Sequence, residues 1–227
     1  MLLNCDIGER GSAHKVDDAL IPYIDIANIA CGGHAGDKES VEYYLELAKK
    51  YRVKTTAHLS YPDKKNFGRV VLDLSKKELL NSLDQQYALA DQIKCVKLHG
   101  ALYNQANIDH ELSKIITQWF TSNDIQEVLT QENSELDKVC QQKGINVIYE
   151  AFLDRRYIYE NEILKLAPRT QKGAVIHDIK IAKEQYQQIK NGYVLIDKTQ
   201  RKLYADTLCV HSDSPSALEI LKAIKNV

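Results

Sequence analysis

Short apolar runs of strand length alternate with helix-length segments along the whole chain, and this alternation restricts the fold more than any other feature. The runs are Leu2 to Ile7, Ile26 to Cys31, Val53 to His58, Val96 to His99, Val147 to Phe152, Ala174 to Ile176, Tyr193 to Ile196 and Leu203 to His211. Between them the apolar spacing changes to the helical period. Asp37 to Tyr51 places Val41, Tyr44, Leu45 and Ala48 on one face, with Lys49 and Lys50 in the last turn to suit the helix dipole. Ser75 with Glu78 forms a capping box that opens a helix running to about Ile93. Further helices fit Glu111 to Phe120, Ser134 to Lys143 stopped by Gly144, Ile179 to Lys190 stopped by Gly192, and Ser214 to Ile224.

Strand followed by helix throughout implies a mostly parallel sheet with right-handed crossovers, either open and doubly wound or closed. A closed, distorted TIM-like (β/α) barrel is the expectation, because candidate site residues follow nearly every strand; an open sheet would gather them at one switch point. Neither an internal repeat nor a Pro/Gly-rich linker divides the 227 residues, so residues 1–227 are expected to form a single catalytic domain.

A formal net charge of −1 creates no field to draw in nucleic acid or an anionic membrane surface, and neither partner is expected. No signal-peptide pattern and no apolar run of about eighteen residues is present, which points to a soluble cytoplasmic protein. The five cysteines form no CxxC pair and their odd number suits free thiols. Those in strand-like runs read as small buried hydrophobes, Cys31 being the one closest to the candidate chemistry.

Four histidines, His34, His58, His99 and His211, stand at or just beyond strand ends, where parallel α/β folds collect their chemistry. Asp6 and Glu9 flank Gly8 after the first strand and could supply a general base, a metal ligand or a hydrogen-bond acceptor. In Cys31-Gly32-Gly33-His34-Ala35-Gly36-Asp37 the glycines allow close backbone approach, while Asp37 opens a helix whose N–H groups could meet an anion. His58 leads into a polar loop ending in Phe67-Gly68-Arg69, and Arg69 could grip a substrate carboxylate. Strand alternation puts Lys97 and His99 on one face, the barrel interior, where a buried lysine needs an anionic partner. Tyr103 and Asn104 follow His99; Glu150, Asp154 and Arg155 sit at the rim of a later strand; Asp213 follows His211. His14, His110 and His177 read as exposed or capping histidines. Sequence signatures for a P-loop, a Rossmann turn, HExxH, GxSxG and Cys/His zinc spacing are all missing.

Collinear blocks carry a resemblance. Asn4-Cys5-Asp6-Ile7-Gly8-Glu9, Ala27 to Asp37, Ala57-His58-Leu59-Ser60-Tyr61-Pro62-Asp63, Asn66-Phe67-Gly68-Arg69, Lys97-Leu98-His99-Gly100-Ala101-Leu102-Tyr103-Asn104, Glu150 to Arg155, Pro168-Arg169 and Cys209-Val210-His211-Ser212-Asp213 together resemble the LamB/YcsF family, the A subunits of 5-oxoprolinase. The resemblance implies a barrel of the glycoside hydrolase/deacetylase type and ATP-dependent opening of 5-oxoproline to L-glutamate with B and C subunits. It also implies catalytic roles for Asp6, Glu9, His34, His58, Lys97 and His99. Asp37, Arg69, Tyr103, Asn104, Glu150, Asp154, Arg155, His211 and Asp213 become candidate substrate-binding residues. Asp6 or Glu9 would position or deprotonate water, Lys97 with His34 and His99 would stabilise charge on oxygen, and Arg69 or Arg155 would hold the substrate carboxylate.

Some positions depart from the family pattern. Leu59 and Leu98 replace prolines, Ser212 replaces a glycine, and Asn161-Glu162-Ile163 takes the place of a glycine in the hairpin before Pro168. A divalent metal ion also suits the histidines and acids, with no spacing that selects an ion. Two alternatives stay open: a metal-dependent amide or sugar deacetylase, and a noncatalytic small-molecule-binding subunit.

Overall fold

The computed structural model describes residues 1–226. Its elements run β1 (Leu2–Ile7), α1 (Lys15–Leu20), a 3-10 turn (Ile21–Tyr23), β2 (Ile26–Ala30), α2 (Lys38–Tyr51), β3 (Lys54–Leu59), α3 (Lys76–Tyr87), β4 (Cys95–Leu98), α4 (Gly100–Ala106), α5 (His110–Ser122), β5 (Glu127–Thr130), α6 (Glu135–Gln142) and β6 (Asn146–Phe152). There follow β7 (Tyr157–Glu160), β8 (Ile163–Leu166), α7 (Ile179–Lys190), β9 (Tyr193–Ile196), β10 (Thr199–Lys202), β11 (Thr207–Cys209) and α8 (Ala217–Lys225). Seven parallel strands close a barrel in the order β1-β11-β6-β5-β4-β3-β2, which meets the expectation of a TIM-like closure. No helix among the described residues is long and apolar enough to cross a membrane.

Alternation along the strands separates two environments. Leu3, Cys5, Ile7, Ala27, Ile29, Ala57, Val96, Val128, Ala151 and Leu208 belong to the apolar layer that buries Val41, Tyr44, Leu83, Ile116 and Phe120 of the helices. Residues of the opposite parity face inward and many are polar. Parallel register pairs Asp6 with Asn28, Asn28 with Thr56, His58 with Lys97, Glu150 with Thr207, and Cys209 with Asn4, so these side chains form a continuous inner lining.

The helix signals act as read. Asp37 and Ser75 each close a capping box, and Gly144 and Gly192 follow α6 and α7 at φ values of 72° and 83°. Other expectations need correction. The α3 helix ends at Tyr87 instead of near Ile93. Ala174 to Ile176 makes only an isolated bridge from Val175 to Arg155, because no strand lies alongside it. Tyr193 to Ile196 is a strand outside the barrel, paired antiparallel with β10, and the run from Leu203 to His211 contracts to β11. The strand β5 was not anticipated; the hairpin named before Pro168 is β7–β8, turning at Asn161 and Glu162, and strand–helix alternation breaks between β6 and β11.

Candidate active site

At the centre of the barrel Lys97 gathers the polar lining around one ammonium. Its Nζ lies 3.0 Å from Asp6 Oδ1, 2.8 Å from Glu150 Oε1, 3.3 Å from Asn4 Oδ1 and 3.2 Å from Cys209 Sγ. Asn28 donates to Asn4 Oδ1 and Asp6 Oδ1, Thr56 donates to Asn28, and Asn4 donates to Thr207. Burial opposes charge on Lys97, but Asp6, Cys209 and Glu150 hold its pKa well above the ordinary value. Burial likewise pushes the Asp6 carboxyl up; Lys97 first and His58 next reverse this and hold it well below the usual carboxylate range. Asp6 therefore stays ionised, anchored on one side and open to the cavity on the other.

Beside this hub lies a knot of three histidines and Glu9. His58 Nε2 is 3.4 Å from Asp6 Oδ1 and 3.0 Å from His99 Nδ1; His34 Nε2 is 3.1 Å from Glu9 Oε1. The far nitrogens of two rings meet backbone carbonyls, His58 Nδ1 at Lys97 O (3.2 Å) and His99 Nε2 at Phe67 O (3.0 Å). A carbonyl only accepts, so those nitrogens carry the hydrogens. Burial holds His34 and His99 well below the ordinary histidine pKa, and both are neutral. For Glu9, burial and then the charge of Asp6 push the carboxyl up to about 7. Gly68 lets the backbone press onto the knot: a Cβ there would sit 2.8 Å from His34 Cβ and 3.0 Å from His99 Cδ2.

The cavity above measures about 620 Å³ and is lined by Asp6, His58, Lys97, His99, Tyr103, Asn104, Phe152, Arg155 and His211, with Arg69, Lys165 and Arg169 towards the mouth. That volume suits a small-molecule ligand. His211 is oriented by Asp154, whose Oδ1 lies 2.9 Å from its Nδ1 and whose Oδ2 accepts its backbone N–H at 3.0 Å. Arg69 and Arg169 both pair with Asp213. Arg155 differs from them: it donates from Nη2 to Ala167 O (2.7 Å), pairs with no carboxylate among the described residues, and its buried Nε–H has no acceptor.

Most expected residues thus converge, by different routes. Asp6, His58, Lys97, His99, Tyr103, Asn104, Arg69, Arg155 and His211 reach the cavity wall. Glu9, His34, Glu150, Asp154 and Asp213 do not line it and act on the residues that do. Asp37 is the exception: it is exposed, and its carboxylate accepts from Ser40 N to cap α2, so the helix terminus that could have met an anion is already occupied. His14 caps α1 and His110 pairs at the surface with Glu135. Sequence reasoning passed over Asn4, Asn28, Thr56, Cys209 and Arg169 as site residues, although polar residues at alternating positions of an apolar strand were the available signal for the first three. All five cysteines are buried, and burial pushes the Cys31 thiol up to about 12, which disfavours a nucleophilic thiolate.

The LamB/YcsF family profile matches residues 1–227. This chain belongs to the LamB/YcsF family. Relatives named as the A subunit of 5-oxoprolinase include that of Pyrococcus abyssi, 37% identical over 99% of this chain and 92% of its own length, and that of Natranaerobius thermophilus, 33% identical over 99% and 91%. A lactam utilization protein from Thermus thermophilus has the same fold at a TM-score of 0.85 and 27% identity, covering 100% of this chain and 96% of its own. Against the LamB/YcsF pattern, the departure at Ser212 has a visible consequence: its Oγ donates to Glu9 Oε2 at 3.3 Å, a contact glycine could not make.

Proposed function

We propose that this chain is the cytoplasmic A subunit of an ATP-dependent 5-oxoprolinase, opening the lactam of 5-oxoproline to L-glutamate together with B and C subunits. Whole-chain similarity to proteins of that name supports the reading. The observation that carries the chemistry is Asp6, a carboxylate pinned by Lys97 at the cavity floor with His58 and His99 beside it.

A five-membered lactam is a resonance-stabilised amide and resists water. Transfer of the ATP γ-phosphoryl group to the lactam oxygen releases ADP and makes the ring carbon electrophilic. Water then adds to that carbon, and the C–N bond breaks as the nitrogen takes a proton. A second water releases phosphate from the resulting acyl phosphate and leaves glutamate. Asp6, already committed on one side to Lys97 and Asn28, orients the attacking water. Lys97 is saturated by its partners, so it sets the charge of Asp6 instead of reaching for the substrate oxygen. Arg155, with an unanswered N–H and no carboxylate partner among the described residues, holds the substrate carboxylate. Arg69, Lys165 and Arg169 give the mouth the positive charge that phosphate groups require.

Asp6→Asn in the reconstituted complex tests this. Glutamate release is expected to fall by about 100-fold or more while the chain stays folded by circular dichroism; a wild-type rate would overturn the assignment. Arg155→Ala is expected to raise the KM for 5-oxoproline more than it lowers kcat, as read from initial-rate kinetics.

A further inference from the structure

His58 and His99 pose a problem that their own hydrogen bonds create. Each spends its N–H on a backbone carbonyl, Lys97 O for His58 Nδ1 and Phe67 O for His99 Nε2. With no proton or cation between the rings, His58 Nε2 and His99 Nδ1 would be two lone pairs facing each other at 3.0 Å. Two acceptors so close repel unless a positive charge lies between or beside them. Glu9 adds to the imbalance, since its buried carboxylate touches no lysine or arginine among the described residues. A buried carboxylate without a cation is costly.

We propose that His58 Nε2, His99 Nδ1 and Glu9 Oε1 bind one divalent first-row transition ion, with its open side towards the cavity that His58 and His99 line. One ligand atom from each of these three residues lies within 4.8 Å of the others. Ligand atoms on tetrahedral zinc stand about 3.3 Å apart, given bonds of about 2.0 to 2.1 Å. The observed 3.0 Å between the two imidazole nitrogens and 3.8 Å from His99 Nδ1 to Glu9 Oε1 bracket that value. Imidazole with one carboxylate selects a transition ion over magnesium or calcium.

The surroundings are those of ligands already aimed. Donation of the second ring nitrogen to a carbonyl is how metal-binding histidines are oriented. Phe67, which supplies one such carbonyl, is held at φ 55° beside Gly68 at φ 63°, a backbone geometry that only a constrained loop retains. His34 is excluded as a ligand, because its ring stacks on His99 at 3.7 Å with 2° between planes, and an ion in the plane of one ring is out of the plane of the other. It instead orients Glu9 Oε1, while Ser212 holds Oε2. An ion held there would present a Lewis acid to a carbonyl in the cavity.

The test uses the full chain without an affinity tag, stripped with chelator and dialysed against zinc or, separately, cobalt(II). Elemental analysis is expected to give about one ion per wild-type chain and less than about one tenth for His58→Ala, His99→Ala and Glu9→Gln, with the cobalt-loaded protein showing ligand-field bands in the visible. His34→Ala is expected to weaken zinc binding by about 10- to 100-fold without abolishing it. Chelator-reversible elevation of Tm in the wild-type chain provides a readout that needs no variant to fold. A folded wild-type chain that holds no stoichiometric ion overturns the site and leaves a shared proton between the two rings; binding unaffected by the substitutions overturns it equally. None of these readouts involves 5-oxoproline, ATP or a partner, so a failure here is separate from a failure of the oxoprolinase reading.

Discussion

Lys97 is the residue on which the barrel interior depends. Its ammonium is shared by Asp6 and Glu150, both almost wholly buried. Lys97→Met would strand two carboxylates in the interior and is expected to cost about 3 to 5 kcal/mol in urea unfolding; an unchanged transition midpoint would refute this account of the hub. The need for an anion beside Lys97 was legible in the sequence from strand parity alone. Which anions answer it was not, because Asp6 and Glu150 come from strands whose register is a property of the closed barrel. The same reason hides Asn4, Asn28 and Thr56, whose roles exist only as a hydrogen-bonded chain across strands. At the mouth, burial pushes the Asp213 carboxyl up while Arg169 and Arg69 pull it below its ordinary value. A carboxyl lowered in the folded state adds stability above its unfolded pKa of about 3.9 and loses it as pH falls through the folded value. Asp213→Asn is therefore expected to flatten the acid limb of the stability profile by up to about 1 kcal/mol, the pair being partly solvated. An identical acid limb in both proteins would contradict the pairing.

Among the elements, the two hairpins show a local cost. Glu160 pairs with Ile163 and Ile196 with Thr199, so each connection is a two-residue turn, and Asn161, Glu162, Asp197 and Lys198 all have positive φ. Asparagine and aspartate tolerate that region, whereas Glu162 at 64° and Lys198 at 65° gain nothing there. Glu162→Gly and Lys198→Gly are each expected to stabilise the chain by up to about 1 kcal/mol in thermal unfolding, and a loss of stability would show that the turns are not strained. Gly68→Ala runs the other way, with an expected cost of about 1 to 3 kcal/mol and a displaced His99. Element reading succeeded where a signal was chemical, as at Ser75 with Glu78 and at the stops Gly144 and Gly192. It failed where apolarity was the only guide. The Glu127–Thr130 strand has just two strongly apolar residues, Val128 and Leu129, and gains its place from neighbours on both sides. Ala174 to Ile176 is as apolar, but lacks a neighbouring strand.

For the molecule as a whole, a barrel of seven parallel strands brings residues from both ends of the chain to one polar cavity, with Asp6 and His211 on its wall and Lys97 between them in sequence. Barrel closure was legible because site candidates followed nearly every strand, and nine of those candidates line one cavity while Asp37 lies apart from it. The division between residues that line the cavity and residues that orient them from behind was not legible, since it depends on side-chain direction after closure. The most direct test of the central claim is glutamate release from 5-oxoproline, measured with this chain, its B and C partner subunits and ATP, and again with each one omitted. Glutamate is expected only when all are present; glutamate formed without ATP or without this chain, or none from the complete mixture, would overturn the assignment.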